Sequence, residues 1–262
     1  MSSAAPPPLV GHADATARAW LRRMARSPRA SSFVLRGSLL VGAWSKHARP
    51  AADVDHLVLG VSSVDEVRAA VEEILAMPDE GGLPLDRSRS THEIIWAETA
   101  QPGLRTTLWL GESTLRIDAG FGDPLTQAPA PLHVLGEGPL FGVRPETMFA
   151  WKTHGLFEFG RGRWRAKDLY DLWLLDRDVP MDAAALVDAT RVAFESRGTE
   201  LSAASRFLET SEWGTSRGGR RRWSTFARGA TLRVPAPDFV EVTARVRARI
   251  APIFAALGSG RT

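Results

Sequence analysis

Apolar positions recur at helical spacing through HADATARAWLRRMAR, which predicts a first helix over residues 14 to 26 with Asp14 as its cap. SSFVLRG then shortens the period to that of a strand, and SLLVGAW after Gly37 opens a second helix that is broken at Pro50. VDHLVLG reads as a strand ended by Gly60. SVDEVRAAVEEILAMP is the clearest helix of this half: Ser63 caps it, Glu66 completes a capping box, and Pro78 lies beyond its end. HEIIWAE, RTTLWLGE and STLRIDAGF are strand-like, with the last two joined as a hairpin at Gly111 and Glu112, and PLHVLG adds an edge strand. From Pro145 the helical period stands alone, through PETMFAWKTHGLFEF, AKDLYDLWLLD, DAAALVDATRVAFES, ELSAASRFLETSEW and PDFVEVTARVRARIAPIFAAL. The expected class is α+β: a mobile N-terminus over 1–12, a domain of mixed strands and helices over 13–144, and a helical domain over 145–262, without internal repeats.

Composition narrows the chemistry. At 262 residues, 44% hydrophobic and 24% charged, the chain has the makeup of a globular protein. It has no cysteine, which excludes disulfides and thiolate zinc sites. No apolar run approaches the roughly 20 residues of a membrane span, and the N-terminus lacks a leader pattern, so a cytoplasmic protein without membrane contact is expected. The net charge of +3 conceals an asymmetry: residues 1–150 hold 14 Lys/Arg against 17 Asp/Glu, whereas residues 151–262 hold 19 against 13. A basic second half either attracts a polyanion or is simply a solvated, arginine-rich surface.

Candidate chemistry begins at LRGSLLVGAWSKHARPAADVDHLVLG. Asp53 and Asp55 are two apart on a strand, hence on one face and about 6 to 7 Å apart along it. Asp118, in LRIDAGF, joins them if the two strands are neighbours. Three carboxylates without histidine or thiolate favour a hard divalent ion, Mg²⁺ or Mn²⁺. Gly37 and Ser38 stand at a strand-to-helix turn, where backbone N–H groups and a hydroxyl meet a phosphate. Each part has an ordinary counterpart: surface aspartates ahead of a strand, the same short acidic pattern in glycosyltransferases, and a plain turn.

The combination resembles the active-site pattern of the DNA polymerase β-like nucleotidyltransferases. The blocks LRIDAGFGDPLTQAP, FGVRPETMFAWKTHGLFEF and RWRAKDLYDLWLL further resemble the AbiEii/AbiGii family of nucleotidyltransferase toxins from type IV toxin–antitoxin and abortive-infection systems. This resemblance covers residues 30 to 176. It implies a polymerase β-like nucleotidyltransferase domain whose active site is completed by the helical domain. By resemblance Gly37 and Ser38 bind the triphosphate, Asp53, Asp55 and Asp118 hold the metal ions, and Lys152 contacts the phosphates. Asp168, with Asp171, orients the nucleotide or helps deprotonate the attacking hydroxyl. The implied reaction moves an NMP from an NTP to an acceptor hydroxyl, the 3′ end of tRNA in some members, and the implied partners are NTP, an RNA acceptor and a cognate antitoxin. Transfer to a protein or a small molecule, and a non-catalytic nucleotide-binding module, are the alternatives.

The chain departs from the family pattern in a longer interval between Ser38 and Asp53, which carries Lys46, His47 and Arg49, and in Trp151 where an acidic residue is usual. That interval is the first place in the N-terminal half to look for acceptor contacts. His56 is expected to face away from Asp55, and His154 away from Lys152. RGGRRRW, with Arg220, Arg221, Arg222 and Trp223, reads either as a contact for a nucleic-acid backbone and base or as a flexible basic loop.

Overall fold

The structure, a computed structural model, describes residues 13–78, 84–97, 102–132, 139–158, 164–209 and 215–259. The segment 1–12 expected to be mobile, the HVLG of the expected edge strand, and the end of ELSAASRFLETSEW lie outside these residues. The chain divides into two compact units. The first takes the described residues of Met1–Lys46, Pro50–Asp123 and Pro129–Val143, and the second those of His47–Arg49, Pro124–Ala128 and Arg144–Thr262.

The first unit is built on one mixed sheet. Its strands are β1 (Phe33–Arg36), β2 (Asp53–Val58), β3 (Thr91–Ile95), β4 (Gly103–Leu110), β5 (Ser113–Phe121), β6 (Ala130–Leu132) and β7 (Leu140–Gly142), in the order β3-β4-β5-β2-β1-β7-β6. β2 runs parallel to β5 and β1 parallel to β7, while the remaining neighbours are antiparallel. The β4–β5 hairpin turns where expected, with Gly111 at φ +58°. β7 was not foreseen, because three residues carry no readable period.

Helices α1 (Ala13–Arg26) and α3 (Val64–Leu75) pack on the sheet, and α2 (Gly37–Trp44) packs against β1 and β2. The Ser63 hydroxyl accepts from the Glu66 N–H at 3.2 Å, and the Glu66 carboxylate accepts from the Ser62 N–H at 2.8 Å, so the capping box closes one residue earlier than the pattern indicates. The α1 side of the sheet is apolar. Trp20 and Phe33 are fully buried there, and the Trp20 indole N–H donates to His56 Nε2 at 3.0 Å. Strand alternation therefore turns His56 into the core and Asp53 and Asp55 to the opposite face, as the sequence indicates.

The second unit is helical: α4 (Pro145–Gly155), α5 (Ala166–Asp178), α6 (Ala183–Glu195), α7 (Leu201–Glu209), α8 (Arg217–Gly229) and α9 (Phe239–Ser259). Between Ala166 and Leu175 every residue of α5 except Lys167 is buried, which places this helix centrally, against α4, α8 and α9. RGGRRRW, for which a flexible basic loop is one of the two readings, is the start of α8. Ser216 caps it by accepting from the Gly219 N–H at 3.1 Å. The glycine pair reflects packing here: a Cβ on Gly219 would lie 2.7 Å from Phe239 Cζ. Trp223 is buried, its indole donating to the Pro237 carbonyl at 2.8 Å, so it is a core residue and is not presented to a base.

Burial first, and the nearby Arg36 charge second, hold the His56 imidazole down to about 3. An unfolded chain protonates this ring near about 6.5. Because the folded value is the lower one, the stability of the neutral ring is complete above pH about 6.5 and drains as pH falls toward 3. The urea midpoint of the wild type is expected to exceed that of His56→Leu by less at pH about 5 than at about 7.5. A gap that stays constant between the two pH values contradicts this.

Candidate active site

Asp55 on β2 and Asp118 on β5 are direct partners in the parallel register, and Arg36 on β1 is opposite Asp55. On the other side Arg105 on β4 is opposite Asp118, and Glu93 on β3 is opposite Arg105. Residues directly opposite share a face. One row across five strands therefore reads Glu93, Arg105, Asp118, Asp55, Arg36, with Asp53 one step along β2 beside Arg116. Arg105 grips Asp118 with two parallel bonds, Nε to Oδ1 and Nη2 to Oδ2, both 2.7 Å, and reaches Glu93 at 3.6 Å. The bond to Asp118 outweighs burial and holds the Arg105 proton more tightly than in an ordinary arginine. Arg36 is anchored by Asp123 of the Gly-Asp-Pro turn at 2.8 Å.

Gly37 joins this row to the helix that follows. Its φ is +74°, and a Cβ there would fall 1.9 Å from Asp55 Oδ2, so glycine is required by both conformation and space. Ser38 is buried in the first turn of α2, and no side chain caps that helix. The turn presents backbone N–H groups next to the acidic row, an arrangement suited to phosphate. Asp53, Asp55 and Asp118 supply oxygen donors alone from two adjacent strands, a set that fits a hard divalent ion. Among the described residues no three His, Asp or Glu side chains are gathered tightly enough to hold an ion as they stand, and Asp118 is engaged by Arg105.

Lys152, Asp168 and Asp171 are brought together in the second unit. The buried Lys152 ammonium lies 2.8 Å from Asp171 Oδ2 and 3.3 Å from Asp168 Oδ1. Arg49 bonds Asp171 through Nε at 3.2 Å and Nη2 at 3.1 Å, and Arg165 bonds Asp168 at 2.5 Å. Burial would lower the Lys152 pKa, but the charges of Asp171 and Asp168 outweigh it and the pKa is raised. For Asp171, burial would raise the pKa, but Lys152 and Arg49 outweigh it and the pKa is lowered. Both shifts favour the charged form, so Lys152 and Asp171 stand as an ion pair at neutral pH. The sequence missed Arg49 as a partner here: it pairs with Asp171 within this unit, and His47 Nδ1 lies 3.1 Å from Asp178 and 2.6 Å from Arg177. His154 is buried against Thr199 at 2.8 Å and Phe194, a structural position.

The sequence also missed Arg36 and Arg105, whose roles need the strand register, and Trp96, whose φ is +55°. On α8, Arg217, Arg220, Arg221 and Arg228 are exposed and Arg222 is half-buried, its guanidinium donating to the Trp164 carbonyl at 3.3 Å.

A mixed sheet bearing a strand pair of aspartates, a third on the parallel neighbour and a glycine turn abutting them is the frame of a nucleotidyltransferase. A family model described as nucleotidyl transferase AbiEii toxin of type IV toxin–antitoxin systems matches residues 18–245, and the chain belongs to that family. Its fold is similar to the crystal structure of JHP933 from Helicobacter pylori, with TM-score 0.55 and 13% identity over 96% of each chain. It is also similar to a candidate nucleotidyltransferase from H. pylori, with TM-score 0.52 and 14% identity over 95% of this chain and 96% of that one. No curated protein matches. The protein is a nucleotidyltransferase.

Removing one member of the Lys152 cluster leaves an uncompensated buried charge. Asp171→Ala is expected to lower unfolding free energy by about 3 to 5 kcal/mol, read from urea denaturation. A loss below about 1 kcal/mol, the range of an exposed pair, contradicts this account of the cluster.

Proposed function

We propose that this chain transfers a nucleoside monophosphate from an NTP to a hydroxyl at the 3′ end of tRNA, and that it is the toxin of a toxin–antitoxin pair whose cognate antitoxin is a protein partner. The observation that carries the reading is the abreast placement of Asp55 and Asp118, with Asp53 on the same face and Gly37 packed against Asp55. Asp53, Asp55 and Asp118 would hold Mg²⁺ or Mn²⁺. Such an ion, when bound, lowers the pKa of the acceptor hydroxyl and offsets the charge of the departing pyrophosphate.

The chain's own residues supply position and charge. Gly37 and Ser38 present the first turn of α2 to the β- and γ-phosphates. Releasing Asp118 for a ligand's role exchanges its Arg105 bonds for the new contact, so Arg105 sets how readily that carboxylate engages. The resemblance assigns Lys152 to the phosphates and Asp168 and Asp171 to the nucleotide; phosphate binding at Lys152 would exchange its bond with Asp171 for one to a phosphate oxygen. The exposed arginines of α8 offer a charge stripe to the RNA backbone. Transfer of this kind requires no protein nucleophile.

The experiment incubates the purified protein with each labelled NTP and Mg²⁺, with total tRNA or with a protein extract. Label is expected in tRNA, and Asp55→Asn is expected to reduce it by at least about a hundredfold. Label in protein alone overturns the RNA acceptor. Transfer undiminished in Asp55→Asn overturns the assignment of the acidic row.

A further inference from the structure

Trp96 sits directly after β3, with 44% of its surface exposed, on the face that carries the acidic row. Its backbone adopts φ +55°, a conformation that bulky residues rarely occupy and that persists only where the surroundings enforce it. Two glycines make room for the indole. Gly103 on β4 and Gly120 on β5 are register partners. A Cβ on Gly103 would lie 2.9 Å from the indole Cε3 and Cζ3, and one on Gly120 would lie 2.6 Å from Arg36 Nη2 and 3.3 Å from Cζ3, so the indole and the Arg36 guanidinium share the space the glycines leave. The ring thus lies on bare sheet backbone. Gly120 and Gly103 are each two residues from a member of the charged row, Asp118 and Arg105, a separation of about 6 to 7 Å along the strands. Arg36 borders the other side: its guanidinium carbon is 5.7 Å from the indole centroid, and the anchor at Asp123 fixes it there.

An aromatic held in a strained conformation, on sheet backbone cleared of Cβ atoms and beside Arg36, one strand repeat from the proposed metal-binding row, has the placement of a stacking platform. We propose that Trp96 is the surface on which the base of the nucleotide stacks, with Arg36 bordering the ring. The substrate class this defines is a nucleoside triphosphate recognised through the π-face of its base as well as through its phosphates. Stacking on an indole accepts any base, so Trp96 adds affinity, while choice among bases rests with other groups. This inference rests on the nucleotidyl-transfer reading.

The test is calorimetric titration of the full chain, with Mg²⁺ present, by each of the four nucleoside triphosphates and by inorganic tripolyphosphate, which has the phosphates without a base. Trp96→Ala is expected to weaken binding of the nucleotide by about tenfold to a hundredfold and to leave tripolyphosphate within about twofold of wild type. Trp96→Phe, which keeps an aromatic face, is expected to recover most of the nucleotide affinity. Unchanged nucleotide binding in Trp96→Ala overturns the proposal, as does an equal loss for both ligands. A wild type that binds neither ligand overturns the nucleotidyl-transfer reading, and this inference with it; a wild type that binds both, with an unaffected Trp96→Ala, overturns this inference alone.

Discussion

The parallel pairing of β2 with β5 places Asp55 beside Asp118, and the chemistry of the first unit depends on that register. Two like charges directly opposite on a sheet repel, and nothing in the strands themselves removes the penalty. The sheet offsets it by flanking the pair: Arg105 binds Asp118 from β4, and Arg36 stands opposite Asp55 on β1. A slip of one residue in either strand would turn the carboxylates into the apolar side, where Trp20, Phe33 and His56 are packed. The buried ring of His56 and the acidic row on the opposite face are thus two consequences of one alternation along β2.

The second unit solves a similar problem by burial. Asp168 and Asp171 lie three apart on a helix enclosed by its neighbours, and Lys152, Arg49 and Arg165 neutralise them. Such a cluster adds little net stability over an apolar core of the same shape, yet it is sensitive to the loss of any member.

Much of the frame was legible in the sequence. The capping box at Ser63, the hairpin at Gly111 and the strand alternation of VDHLVLG are local signals, and each is found in the structure. The acidic trio was legible as a pattern, whereas its guards were not: Arg36 and Arg105 acquire meaning only from which residue each strand places opposite. Trp96 was hidden for the same reason, since its platform is built from glycines on two other strands. RGGRRRW stayed open between a nucleic-acid contact and a loop because its helix was not visible locally: Gly219 is demanded by the approach of Phe239 in the fold. The family blocks reached further than spacing did, because they carry the combined imprint of register and packing that no single segment displays.

The central claim is that the face of β2 and β5 bearing Asp53, Asp55 and Asp118 receives a metal–triphosphate. Anomalous diffraction from crystals grown with Mn²⁺ and a non-hydrolysable NTP tests it most directly. The account expects the ion at about 2.1 Å from oxygens of Asp53 and Asp55, with the triphosphate against the Gly37–Ser38 turn. An ion and nucleotide bound elsewhere, with that row unliganded, would contradict it.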